Sequence, residues 1–311
     1  MNKQTFLALI ILVVISANIR AQSNFWNNPD AYLGQKTPSD TPQIFAQSLL
    51  SAKDTFPLDR VAFSPDGKEF YYPSNNSWYN TGNAKIKYFA YGGKKWKGPF
   101  VLNEHYYAPT FSPDGSTLYF LGGKRDSVHF FVWQSKKKHE GWTKPSVYLK
   151  KEYGLYDFMP TTTGASYVAS NAHQGNINDF STYDICELRI AGKDTTIKSL
   201  GAPLNTPGFD GDFFVAKDAS YIIISANETK DYECELHISF HNPDQTWTKP
   251  VSLGPLINNG IAHRWGQYVT PDGKYLFYSK GTSPKDCHIY WVRFDHLLEK
   301  LKPARLKDIE H

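Results

Sequence analysis

Cysteine is scarce, charge of either sign is nearly balanced, and only one long apolar run exists. Three cysteines in 311 residues are too few for a disulfide-built scaffold. The formal charge is +4, and about +2 once Lys3 and Arg20 leave with the leader described below, which argues against nucleic acid as a partner. No Gly-x-Ser-x-Gly elbow, His-Glu-x-x-His motif or paired-cysteine pattern occurs, so the common serine-hydrolase and zinc signatures are missing. Charged residues make up 21% of the chain, which argues against long disorder. The apolar run at 6–15 is half the roughly 20 residues that a membrane span needs.

That run follows Lys3 and precedes Ile19-Arg20-Ala21, where a small residue offers a cleavage point, so 1–21 reads as a secretory signal peptide. An N-terminal anchor left in place is the alternative. No Cys follows the run, which disfavours a lipid-anchored form. The mature chain is expected to be periplasmic or secreted, without a membrane span.

Aromatic residues and turn formers are abundant: 20 Tyr, 20 Phe, 8 Trp, 22 Gly and 19 Pro. Such a mix suits many short strands joined by tight turns. Five segments align with one another: Val61-Ala62-Phe63-Ser64-Pro65-Asp66-Gly67, Pro109-Thr110-Phe111-Ser112-Pro113-Asp114-Gly115, and the segments 158–164, 213–219 and 267–273. Their turn residues Gly67, Gly115, Gly164, Ala219 and Gly273 are 48, 49, 55 and 54 residues apart. A period in this range points to radial repetition, with four strands per repeat as the propeller solution. Pro sets φ at the first turn position, Asp bonds the amides beyond it, and Gly takes the left-handed residue. Thr161-Thr162-Thr163-Gly164 lacks Pro and Asp, and Lys217-Asp218-Ala219 lacks Gly. Ala at that position predicts strain and therefore a different turn.

Behind each turn runs an aromatic or β-branched strand, and third strands follow. Fourth strands are expected after Trp96-Lys97-Gly98-Pro99, Trp142-Thr143-Lys144-Pro145 and Trp247-Thr248-Lys249-Pro250, with Pro on an outer strand where a missing N–H is tolerated. After Phe294 no fourth strand remains, only a short amphipathic helix and tail at 296–311. Thr41-Pro42-Gln43-Ile44-Phe45-Ala46 resembles an orphan fourth strand, so the ring can close by pairing it into the last blade, which removes two sheet edges. The expectation is an all-β, single five-bladed β-propeller over 40–295, with four-stranded antiparallel blades, preceded by an N-terminal extension at 22–39. Cys186, Cys234 and Cys287 fall at matching places in three successive repeats, too far apart for the roughly 7 Å limit of a disulfide, and are expected to be buried thiols.

Phe-Ser-Pro-Asp-Gly before an aromatic strand, Trp-x-x-Pro, Leu253-Gly254-Pro255-Leu256-Ile257-Asn258 and the closing Asp286-Cys287-His288-Ile289-Tyr290-Trp291-Val292 together resemble the PD40, or TolB-like, WD40-like β-propeller repeat family of bacterial exported proteins. The resemblance covers about residues 40–295. It implies the fold and says almost nothing about activity, because the signature residues build turns. The α/β domain of TolB has no counterpart here, so its partners do not carry over.

The Pro-Asp-Gly hairpins share one face of the disc, which sends the loops entering each inner strand to the other. Those loops hold Asp59-Arg60, His105-Tyr106-Tyr107, Tyr156-Asp157, Asp210-Gly211-Asp212 and His263-Arg264-Trp265, a set rich in ionisable and aromatic groups and unlike the repeat consensus. The candidate ligand-binding residues are therefore Asp59, Arg60, His105, Tyr106, Tyr107, Tyr156, Asp157, Asp210, Asp212, His263, Arg264 and Trp265. The rings offer flat apolar faces, while the arginines and aspartates orient a polar ligand such as a glycan or a peptide. The competing expectation is a carbohydrate-active enzyme. A lyase would use Tyr or His as base with Arg264 neutralising a uronate, and a glycosidase would use two of the carboxylates. The blandest reading makes these groups solvated or structural.

No catalytic residue is singled out, and neither a metal nor another cofactor is expected. Asp210-Gly211-Asp212 lacks EF-hand spacing and reads as a turn, and His105 and His263 share a metal only if their loops converge. Lys94-Lys95-Trp96-Lys97 and Lys136-Lys137-Lys138-His139 read as solvated hairpin tips. Asn75-Asn76-Ser77 and Asn227-Glu228-Thr229 match the glycosylation pattern, which means little in the bacterial protein that the resemblance implies. His173, Arg125 and Glu228 border the expected funnel and read as ordinary surface. The chain is expected to be a monomer.

Overall fold

The protein is described from a computed structural model covering residues 25–79, 81–123, 130–174, 179, 181–229, 231 and 233–307. The segment 1–21, read from sequence as a signal peptide, and Arg125 lie outside the described residues.

Five antiparallel sheets form a ring, each with its first strand nearest the axis. Blade 1 is built on Ala62–Phe63, Glu69–Asn75, Lys85–Gly92 and Lys95–Glu104, with Phe56–Pro57 pairing to the far end of the second strand. Blade 2 runs Tyr106–Phe111, Thr117–Gly122, Phe131–Lys136 and Ser146–Lys150. Blade 3 comprises Tyr156–Pro160, Ser166–Ser170, Asp184–Ala191 and Asp194–Ser199, and blade 4 comprises Phe213–Val215, Tyr221–Ala226, Glu235–Phe240 and Val251–Ser252. Blade 5 takes His263–Val269, Tyr275–Ser283 and Asp286–Arg293 from the C-terminal end and Gln43–Ile44 from the N-terminal end. The closing pairs are Gln43 opposite Trp291 and Ile44 opposite Tyr290. A helix, Asp295–Leu301, follows the last strand.

The seam between blades 1 and 5 is the most aromatic part of the core. Phe45 meets Phe277 at 4.9 Å and Trp291 at 5.0 Å between ring centroids, and Phe63 meets Phe70 at 4.7 Å. Such pairs add about 0.5–1.5 kcal/mol each beyond their burial. Across the turn face of this seam lies the segment 25–34. Tyr32 donates to Asp272 in the blade 5 turn (2.6 Å), and Trp26 donates to the Pro65 carbonyl in the blade 1 turn (3.3 Å). Tyr91 and Trp96 both bond Asp30, at 2.7 Å each. The N-terminal extension is therefore a strap over the joint that the short strand closes.

The recurring turn uses one more residue than its Pro-Asp-Gly core. Ser64, Ser112 and Thr270 each donate to the turn aspartate (2.6, 2.5 and 2.6 Å) and accept the amide of the residue that opens the second strand (2.9, 3.0 and 3.1 Å). In blade 3, Thr161 and Thr163 replace the hydroxyl–carboxylate pair at 2.7 Å. Blade 4 corrects an expectation. Ala219 does not impose another turn: it adopts φ 59°, and its amide bonds the Ala216 carbonyl at 2.8 Å, just as Gly67 bonds Ser64 and Gly273 bonds Thr270. A second correction concerns blade 1, whose fourth strand starts at Lys95, ahead of Trp96 and Pro99. Its outer edge is free, so Pro99 costs no ladder bond. The three cysteines are buried, unpaired thiols, as their repeat positions imply.

Candidate functional site

The inner strands carry a local irregularity that decides which side chains face the open end of the ring. Ala108, Asp157 and Gly266 each stand seven residues before the turn residue of their blade and have φ of 50°, 55° and 61°. Strand register shifts around each of them, between Tyr107 and Thr110, Tyr156 and Met159, and Trp265 and Tyr268. Asp59 takes φ 64° at the entry to blade 1. Bulges of this kind bend a strand and re-aim the neighbouring side chain. The residues immediately preceding them, Leu58, Tyr107, Tyr156 and Trp265, all line one cavity of about 1130 Å³ on the face opposite the Pro-Asp-Gly turns. At Gly266 a Cβ would collide with the backbone of Asp59 and Arg60, so only glycine permits that contact between blades 5 and 1.

Two aromatic groups face each other across the cup. Where blades 5 and 1 meet, His263 stacks on Trp265 (4.4 Å, 20°), and Trp78 from the blade 1 loop stands edge-on to Trp265 at 5.1 Å. Trp78 is held there by its indole N–H, which donates to the Asp286 carbonyl at 3.0 Å. Towards blades 3 and 4, Phe209 lies 5.5 Å from Tyr183 and 6.0 Å from Tyr156.

Four carboxyl groups line the same space: Asp59, Asp210, Asp212 and Glu228. Asp210 is ordered by Thr206, whose amide donates to it at 2.6 Å. Burial raises it to about 6 despite those bonds. Asp212 accepts the Tyr156 hydroxyl at 3.2 Å, and burial together with the Glu228 and Asp59 charges holds it well above the usual carboxylate range. Burial also raises Asp59, against the pull of Arg60. Glu228 is pushed up to about 7 by burial, with Asp210 adding.

Both arginines are committed elsewhere. Arg60, 1% exposed, forms an ion pair with Asp157 and donates to Thr110 Oγ1 at 2.5 Å. Asp157 in turn accepts the Phe213 amide of blade 4 at 3.2 Å. Blades 1 and 3 are not neighbours, so the Arg60–Asp157 pair crosses the axis beneath the cup. Arg264 lies between His263 and Trp265, and strand alternation points it the other way. Its guanidinium donates to the carbonyls of Ile257, Cys234, Ala262, Asn259 and Gly260 and pins the loop entering blade 5.

Of the twelve candidates, Asp59, Tyr107, Tyr156, Asp210, Asp212, His263 and Trp265 line the cup. Arg60, Asp157 and Arg264 are absorbed in the buried contacts above. Tyr106 packs on Phe120 (4.8 Å) and Trp133 inside blade 2, and His105 shares a hydrogen bond with the Gly82 carbonyl (2.5 Å). Glu228, read from sequence as ordinary surface, belongs to the lining, as do Trp78, Tyr183 and Phe209, which sit outside the inner-strand entries. His173 does not line it. Among the described residues no three His, Cys, Asp or Glu are grouped to hold a metal ion, and no helix is long and apolar enough to cross a membrane.

The strand order and this cup define a five-bladed β-propeller with a lined cavity on its non-turn face. No family model and no curated protein matches the chain. Solved structures with which it aligns include TolB from Acinetobacter baumannii (TM-score 0.45, 16% identity, 78% of this chain and 55% of that one). An oligogalacturonate lyase in complex with manganese aligns with TM-score 0.42 and 10% identity over 79% of this chain and 68% of its own. A puromycin-hydrolysing peptidase from Mycobacterium tuberculosis aligns with TM-score 0.42 and 13% identity over 78% of this chain, which spans only 37% of the peptidase. Likeness at this level carries no residue role or activity to this chain, whose fold rests on its own strand order.

Proposed function

We propose that this protein is a divergent, exported PD40-type propeller that acts as a non-catalytic recognition module, binding a glycan or peptide in the cup on its non-turn face. One observation carries the reading: a cavity of about 1130 Å³ combines two facing aromatic groups with four partly or fully buried carboxyls. Flat rings and a few convergent polar groups are what a polar, partly apolar ligand needs. The commitment of Arg60 and Arg264 to protein acceptors weighs against a uronate lyase, which requires a guanidinium facing the sugar carboxylate.

A glycosidase is the second reading, favoured by Glu228, whose raised value suits a general acid. Soluble polysaccharides and peptides incubated with the purified protein separate the two. Binding without new reducing ends, weakened by Trp265→Ala, is the expected result. Turnover abolished by Glu228→Gln would replace the recognition reading with the enzymatic one.

A further inference from the structure

Among the described residues the cup is short of positive charge. Besides its four carboxyls the lining holds Lys249, which is exposed, and His237 and His263. His237 already lies 3.0 Å from Glu235, and His263 is stacked on Trp265 with Trp78 tilted against it at 5.4 Å. Arg60, the nearest guanidinium beneath the floor, is held by Asp157 and Thr110.

Two of the carboxyls are left with unused acceptors. Asp212 is 8% exposed, and its single hydrogen bond from a side chain is the Tyr156 hydroxyl on Oδ1, so Oδ2 has no hydrogen-bond partner among the described residues. Glu228, half-buried in the same lining, makes neither a hydrogen bond nor an ion pair with the other described residues. Burial holds both groups back from ionising, and a cation placed against their remaining oxygens would offset that cost by stabilising the ionised form. The rings around them favour the same kind of ligand, because their faces attract a cation and also stack on the apolar face of a pyranose.

Resting on the recognition reading above, we propose that the cup takes an oligosaccharide carrying a protonated primary amine, of the glucosamine type. Its ammonium sits against Asp212 and Glu228, and its sugar rings lie against Trp78 and Trp265 on one wall and Phe209 on the other. A uronate chain offers the two carboxyls no cation and brings further negative charge to a site where they already resist ionising. An N-acetylated chain brings stacking but leaves both carboxyls unmatched. The volume exceeds the roughly 300–1,000 Å³ of an ordinary small-molecule pocket, which suits several sugar units rather than one.

The probes are a glucosamine tetramer, its fully N-acetylated counterpart, an oligogalacturonate and a short peptide with a free N-terminus, each titrated calorimetrically into the purified protein near neutral pH. The expected result is binding of the glucosamine tetramer at least about tenfold tighter than its acetylated form, the scale of one charge-assisted hydrogen bond. Glu228→Gln should remove most of that preference. Asp212→Asn should do the same wherever its cooperative melting shows that it folds. Acetylated sugar binding as tightly as the free amine, or a preference untouched by Glu228→Gln, overturns the inference while leaving glycan recognition standing. Peptide binding without glucosamine binding overturns it as well. Failure of every glycan and peptide to bind removes the recognition reading itself.

Discussion

Asp59, Asp210, Asp212 and Glu228 hold protons at pH values where free carboxylates have lost them. The folded chain therefore binds more protons than the unfolded one across the interval between the two sets of values. Their contribution is fully present below the unfolded value of about 4 and is lost as pH rises through the folded values, about 6 for Asp210 and about 7 for Glu228. Denaturation midpoints are expected to fall between about pH 5 and about pH 8, and Glu228→Gln should flatten the upper part of that fall. A midpoint that rises across the interval would contradict the assignment. At this scale sequence separated residue types better than residue roles. His263, Arg264 and Trp265 read as one cluster because they are consecutive, yet a strand sends alternate side chains to opposite sides, and Arg264 is spent on loop carbonyls. That alternation was available as a signal. Glu228 was not legible, since its loop has no repeat signature and its burial depends on blades distant in sequence.

At the scale of the strand and turn, the hairpins were plain because each carries the same short chemistry. Even the degenerate blade 4 turn follows the pattern, with Ala219 accepting the left-handed backbone. The inner-strand bulges were hidden by the opposite circumstance: Ala108, Asp157 and Gly266 share a conformation and have nothing chemical in common. Gly266→Ala tests how much the bulge matters. Added strain and the collision with Asp59 should cost about 2–4 kcal/mol in denaturant unfolding and displace Trp265 from the cup. Loss of glycan binding larger than that of Trp265→Ala would tie the bulge to the site. A substitution tolerated without a shift in midpoint would show that the backbones can separate freely.

For the whole molecule, the count of strands already implied that the N-terminal segment must complete blade 5. Gln43 and Ile44 do so by strand pairing, flanked by backbone bonds from Phe45 to Ile289 and from Arg293 to Ser39, and the strap at 25–34 supports the joint with aromatic contacts that no period announces. The axial network was equally invisible, because Arg60, Thr110 and Asp157 come from three different repeats. Arg60→Ala leaves Asp157 charged and buried, and a loss of about 3–5 kcal/mol is expected, read as an earlier urea midpoint. Little change would mean that water reaches the pair.

The Arg60–Asp157 bolt lies across the axis under the floor of the cup, so the same pair that ties blade 1 to blade 3 also stands in the path of anything that would run down the axis from the cup. A polymer end or a bend settling on that floor would meet a neutralised ion pair rather than an open charge.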